Sequence, residues 1–228
     1  MLFRFLNFDL IEMVQRFIVL FTAITVHEFA HGFVAYKLGD PTAKNSGRLT
    51  LNPISHLDPI GALCMVLCGF GWAKPVPINP FYFRNRKRDT ALVSLAGPAA
   101  NILLAFLSTI IYVPLVVVML FYVPNNPVLS FVAGTLINLV YLNIGFAVFN
   151  LIPFPPLDGS KILGAFLPSD AYMTLLQYER IGFPILILLS VSGLLGRILG
   201  FVIQPVFNLW GSFAGFLLEN VIRFMGVS

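Results

Sequence analysis

Charge is what this sequence lacks most. Only 11% of its 228 residues are Asp, Glu, Lys or Arg, where soluble domains carry about 25%. Mean hydropathy is +0.88 and 58% of the chain is apolar. So apolar a chain cannot hide its side chains in a core of this size, which excludes an ordinary soluble domain. Cysteine is scarce too. Two residues, Cys64 and Cys68, give no disulfide framework; four apart, they would share one helix face as a metal pair could, but with no second pair to complete a site they read as small buried thiols. Three histidines in all exclude the histidine-rich centres of membrane oxidases and hydroxylases. There is no G-x-S-x-G, and Asp158 has no aspartate partner in a second helix. Serine and aspartyl chemistry within a membrane are therefore disfavoured.

What is present is a series of long apolar runs, each near the roughly 20 residues that a bilayer-spanning helix needs. Five can be marked: Leu10–Lys37, Ala91–Val123 with an expected bend near Pro114, Val128–Leu151, Phe183–Ile203 and Val206–Met225. The last two are separated by an expected turn at Gln204-Pro205. A sixth run, Pro59–Phe70, is too short to cross and is expected to be re-entrant or interfacial. Residues 71–83 hold Pro75, Pro77 and Pro80, which forbid a helix interior. Val76 and Ile78 alternate with them as in an extended edge strand, the alternative being a plain loop on the membrane surface. The fold class expected is thus an all-α polytopic membrane protein with about five transmembrane helices, a short re-entrant or interfacial segment and an extended Pro-rich edge segment. No loop has room for a soluble domain, so residues 1–228 are read as one membrane-embedded domain, with a core of about 18–165 and C-terminal helices at about 183–225. The first apolar stretch carries Asp9, Glu12 and Arg16 and lacks a small-residue cleavage pattern, so it is read as retained.

The basic residues cluster. Arg84, Arg86, Lys87 and Arg88 are flanked by apolar segments, which reads as a topology signal and not as a nucleic-acid site. With Lys37, Lys44, Arg48, Lys161 and Arg180 they fall on one side of the bilayer, opposite the uncharged PNNP turn at 124–127. The positive-inside rule makes that side cytoplasmic.

HEFAH, residues 27–31, fits H-E-x-x-H. Residues four apart lie about 40° apart around a helix and one turn along it, so His27 and His31 can bind one zinc. Glu28 projects beside them, placed to deprotonate a water as general base. Such groups are costly in a transmembrane run and are usually functional there. A catalytic zinc takes a third protein ligand. His56, in LNPISHLDPIG, and Asp158, in NLIPFPPLDG, compete for it. The break at Pro153, Pro155 and Pro156 frees backbone groups that survive at membrane depth only when buried in protein or facing water, which favours Asp158. His56 lies in a turn-rich segment suited to a loop role. Asn138 and Asn143 are expected to hydrogen-bond between helices, and Gly97, Pro98, Ala99 and Ala100 to allow close helix packing.

H-E-x-x-H followed by N-x-x-P-x-x-x-x-D-G at 150–159, with SLAGPAANILLAF at 94–106 and GFGWAKPVPINP at 69–80, resembles the site-2 protease family of intramembrane zinc metalloproteases. The likeness covers about residues 18–165 and is to the small form without PDZ or CBS domain. It implies one Zn2+ on His27, His31 and Asp158, Glu28 as the base, and Asn150 helping to position substrate near the metal. Its implied partners are transmembrane protein substrates and the lipid bilayer of, in all expectation, the cell membrane. Val76 and Ile78 would then pair with unwound substrate by strand addition. A homo-oligomer is compatible with the sequence. The rival class is a catalytically silent membrane scaffold or chaperone of the same fold, against which stand the intact Glu28 and ligand set.

Overall fold

A computed structural model describes residues 10–61 and 73–226. It is 79% helical, and four of its helices are long and apolar enough to cross a membrane: α1 (Leu10–Lys37), α3 (Arg86–Phe121), α4 (Pro127–Leu151) and α8 (Leu194–Phe224). Shorter helices lie between them: α2 (Thr42–Asn45), α5 (Asp158–Gly164), α6 (Ser169–Gln177) and α7 (Glu179–Val191). Cys64, Cys68 and all but the helical start of the expected re-entrant segment, Pro59–Gly61, lie outside the described residues.

Local sequence explains where these helices start. At α3 the Asn85 side chain accepts the Arg88 N–H at 3.1 Å while the Asp89 carboxylate accepts the Asn85 N–H at 3.1 Å, a reciprocal cap that satisfies two orphan donors. At α4, Asn126 caps the N–H groups of Val128 and Leu129 and Pro127 takes the first helical position, where its missing N–H costs nothing. Asn125, at φ 63, makes the reversal between α3 and α4, a conformation that asparagine tolerates better than most residues. Pro98 and Pro114 sit inside α3, which is continuous through both.

Polar contacts set the packing of these apolar helices, as suits a solvent that gives apolar surfaces little reason to associate. Gln15 Nε2 donates to the Phe131 carbonyl at 2.8 Å, and Asn101 Nδ2 donates to Asn143 Oδ1 at 2.6 Å, the interhelical bond expected of Asn143. Helices α1 and α4 therefore run the same way with α3 antiparallel to both. Trp210 Nε1 donates to Thr109 Oγ1 at 2.9 Å, tying α8 to α3, and Val206 and Phe207 pack on a core of Ala105, Val140 and Ile144. The spans turn apolar side chains outward: Leu103, Ile111 and Leu120 are each more than half exposed, as lipid-facing residues must be.

The C-terminal pair differs from expectation. The break falls at Gly193, not at Gln204-Pro205, and α8 runs unbroken through Pro205. Gly193 adopts φ +73, a left-handed conformation that costs glycine little and ends a helix cleanly. Pro205 removes one backbone donor, which a membrane helix tolerates. As a result α7 has 13 residues, about 20 Å of helix, short of a hydrocarbon core. The all-α membrane architecture stands, with four long helices and one short apolar one in place of about five spans.

Residues 73–79 are extended, as expected, but form no strand among the described residues; one isolated bridge joins Ala73 to Leu57. Lys74 N–H donates to the His56 carbonyl at 3.0 Å and Asn79 N–H to Asp40 Oδ2 at 2.7 Å. The segment is thereby fastened at both ends beside α1.

Candidate metal centre

The helical spacing of HEFAH places His27 and His31 on the face of α1 that meets α3. Both are buried. Their rings are held from behind: His27 Nδ1 lies 2.6 Å from Asn101 Oδ1 and His31 Nδ1 lies 2.7 Å from the Val93 carbonyl. A carbonyl can only accept, so Nδ1 of His31 carries a proton, and in the neutral ring its Nε2 presents a lone pair. The Asn101 amide nitrogen is committed to the Ala23 carbonyl at 3.1 Å and to Asn143 Oδ1. Its oxygen therefore faces His27, and Nε2 of that ring is a lone pair as well.

Asp158 reaches the same point from the far side of the bundle. The prolines after Asn150 end α4, and the chain reverses through a turn with a cis Pro155-Pro156 bond; α5 then opens on Asp158. Gly159 is required there, because a Cβ would drive into the Leu151 and Ile152 carbonyls. Asp158 Oδ2 ends 3.2 Å from Nε2 of His27 and 3.2 Å from Nε2 of His31. The two Nε2 atoms are 2.9 Å apart.

Three buried acceptors that face one another repel unless a cation lies among them. Among the described residues Asp158 Oδ2 has no hydrogen-bond partner, and the lone pairs of two neutral rings cannot bond each other. Tetrahedral zinc with nitrogen ligands would set neighbouring ligand atoms about 3.3 Å apart, within a few tenths of an ångström of what is seen. Two imidazoles and one carboxylate are also a donor set that zinc accepts, with a fourth position left for water. His27, His31 and Asp158 therefore fit a zinc ion. His56 is elsewhere: it is buried, with Nε2 bonded to the Thr50 carbonyl at 2.9 Å.

Gly97 has a more specific place than helix packing. A Cβ there would stand 2.5 Å from His31 Nε2 and 2.6 Å from His27 Cε1, so α3 can approach the two imidazoles only as glycine. Asn101, four residues on, orients His27. Sequence reading passed over it, although an asparagine inside an apolar run was the available signal.

Glu28 lies beside the triad and its Oε2 accepts the Val76 N–H at 2.8 Å. His27, Glu28 and Asn150 share the wall of a cavity of about 240 Å³ that is otherwise apolar, with Leu142, Phe146 and Phe149 among its lining. Asn150 is buried and its Nδ2 donates back to the Phe146 carbonyl at 2.9 Å. Val76 and Ile78 turn their side chains into the protein. Val76 packs on Gly32, and Ile78 on the cluster of Ala35, Phe83 and Val93.

Comparison with known proteins bears on this arrangement. The chain is 39% identical over 209 residues to "Putative zinc metalloprotease YwhC" of Bacillus subtilis, covering 90% of this chain and 91% of that protein. It is 32% identical over 183 residues to "Putative zinc metalloprotease Rip2" of Mycolicibacterium smegmatis, covering 77% of this chain and 66% of that protein. To "Putative zinc metalloprotease MJ0611" of Methanocaldococcus jannaschii it is 26% identical over 162 residues, 71% of this chain and 75% of that one. No protein-family model matches, and no solved structure does. With a buried two-histidine, one-carboxylate cluster and a relative 39% identical over 90% of its length, the chain belongs to the zinc metalloprotease family that includes YwhC.

Proposed function

We infer that this protein is an intramembrane zinc endopeptidase of the site-2 type, in the small form without PDZ or CBS domain, acting on transmembrane segments of other membrane proteins. The observation that carries the reading is the meeting of His27, His31 and Asp158 within a bundle of long apolar helices, with Glu28 alongside. His31 stands six residues from the end of α1 and His27 ten, about 9 and 15 Å along the axis. Peptide bonds cleaved there would lie inside or just at the edge of the bilayer.

A zinc ion on these three ligands would supply Lewis-acid polarisation of the scissile carbonyl and would lower the pKa of a water at its open position. The chain's own residues do the rest. Glu28 accepts the proton of the attacking water at its carboxylate and returns it to the leaving amine. Asn101 and the Val93 carbonyl keep both imidazoles turned toward the centre. Asn150, on the cavity wall, orients the substrate backbone. The apolar lining accepts aliphatic or aromatic side chains next to the cleaved bond. The extended backbone around Val76 and Ile78 pairs with substrate unwound from its helix, because a peptide bond still hydrogen-bonded within a helix is closed to attack.

Basic residues at the end of α1, the start of α3 and in α5, among them Lys37, Arg86, Arg88 and Lys161, support the reading that this end faces the cytoplasm across a cell membrane. The whole chain acts as one membrane-embedded unit.

The test is cleavage of a defined transmembrane substrate in detergent or proteoliposomes by wild type and Glu28→Gln, with zinc measured on both. Glu28→Gln is expected to keep its zinc and to lose cleavage by at least about a hundredfold. Equal cleavage by both would remove Glu28 as the base. A zinc-loaded wild type that cleaves no substrate would favour a silent scaffold.

A further inference from the structure

We propose that Arg48 is a positioning residue for Glu28, acting through the single peptide unit between Pro75 and Val76. The inference rests on the reading of Glu28 as the base. Arg48 Nη2 donates to the Lys74 carbonyl at 2.7 Å and to the Pro75 carbonyl at 3.3 Å. The N–H of that same Pro75–Val76 peptide donates to Glu28 Oε2 at 2.8 Å. One amide plane therefore lies between a guanidinium and a carboxylate, with its carbonyl toward the cation and its N–H toward the anion. A cation on the oxygen of an amide polarises it and strengthens its N–H as a donor, and hydrogen bonds arranged in such a chain reinforce one another.

The sequence makes this unit singular. In Pro75-Val76-Pro77 both prolines lack an N–H, so Val76 carries the one backbone donor of the tripeptide. Pro75 and Pro77 fix their own φ, and a residue before proline is held to extended conformations. Val76 is so held, and its side chain is locked against Gly32, where a Cβ on the glycine would come within 3.1 Å of Val76 Cγ1. The Lys74–His56 and Asn79–Asp40 bonds anchor the flanks. Glu28 thus receives its hydrogen bond from a donor that has no freedom to follow it. The carboxylate that must face a water at the metal is aimed by a segment more than forty residues away. The edge segment, besides any part in holding substrate, sets the geometry of the base, and Arg48 is what fastens that segment at the decisive peptide.

Among the described residues Arg48 grips through Nη2 alone and its Nε is buried without a hydrogen-bond partner, so lysine is a fair conservative replacement: it keeps the charge and one donor head. The full-length protein in detergent is compared as wild type, Glu28→Gln, Arg48→Gln and Arg48→Lys. The readouts are zinc content, kcat and KM on one transmembrane substrate, and amide hydrogen exchange over residues 73–79. For Arg48→Gln the expected result is full zinc, KM within about twofold of wild type and kcat lower by roughly ten- to a hundredfold, the scale of a misplaced catalytic group. Exchange at Val76 should rise in both Arg48→Gln and Glu28→Gln. Arg48→Lys should recover part of kcat and of the exchange protection. The proposal is overturned by wild-type kcat in Arg48→Gln, by a change confined to KM, by loss of zinc in step with activity, or by Arg48→Lys no better than Arg48→Gln. Should Arg48→Gln not accumulate folded, Arg48→Met takes its place, keeping side-chain bulk without charge or donor: a kcat at least about tenfold down with full zinc supports the role, and wild-type kcat refutes it. Failure of the underlying reading looks different, because Glu28→Gln would then cleave as wild type does whatever Arg48 carries.

Discussion

At the scale of single residues, the candidate metal centre depends on two residues outside the ligand set. Asn101 accepts from His27 Nδ1 and is itself braced by Ala23 and Asn143, so it fixes both the tautomer and the angle of the ring. Asn101→Leu is expected to weaken zinc binding by roughly ten- to a hundredfold, read by competition with a chelator of known affinity; unchanged affinity would reduce Asn101 to a packing residue. Gly97 works by absence. Gly97→Ala puts a methyl group against both imidazoles and should cost zinc while leaving the helical circular dichroism intact. The cluster that would hold the metal was largely legible in the sequence. His27, Glu28 and His31 follow from helix periodicity and from the cost of such groups in an apolar run. Asp158 needed the proline break and the family pattern as well, because nothing in its spacing says that a residue more than a hundred positions away returns to α1. Asn101 stayed hidden because SLAGPAANILLAF reads as a small-residue packing face, and the sequence does not say which asparagine meets a histidine.

At the scale of elements, the instructive case is the end of the chain. Proline is the stronger breaker in soluble helices, and Gln204-Pro205 invites a turn on that ground. In a membrane helix the freed carbonyl costs less than a full reversal, and the turn goes to Gly193, which alone of the two sites offers a left-handed backbone. Gly193→Ala should therefore destabilise the protein by about 1 kcal/mol, whereas Pro205→Ala should leave stability equal or higher. Thermal unfolding in detergent checks both, and the reverse order would return the turn to Pro205. The extended segment at 73–79 was foreseen from its prolines, and its partners were not. Whether such an extended segment lies free or bonds the Glu28 carboxylate is decided by tertiary approach, which alternation of Val76 and Ile78 cannot report.

At the scale of the whole molecule, antiparallel packing of α3 against α1 and α4 brings HEFAH, the start of α3 and the proline break to one end of the bundle. Most of the basic residues, Lys37, Lys44, Arg86, Lys87 and Arg88 among them, gather at that end, and Asn125 marks the other. In a Cys64→Ala/Cys68→Ala background, a membrane-impermeant thiol reagent applied to intact cells should label Asn125→Cys and spare Ser46→Cys; the opposite pattern would invert the orientation. The membrane architecture was the most legible property of all, since it follows from composition and run length alone. The central claim is the metal centre, and zinc content with X-ray absorption on the purified full-length protein tests it most directly. The expected result is one zinc per chain bound by nitrogen and oxygen only, with two imidazoles, lost on Asp158→Ala and kept on His56→Ala. Sulfur in the coordination shell, or zinc retained by Asp158→Ala and lost by His56→Ala, would contradict it.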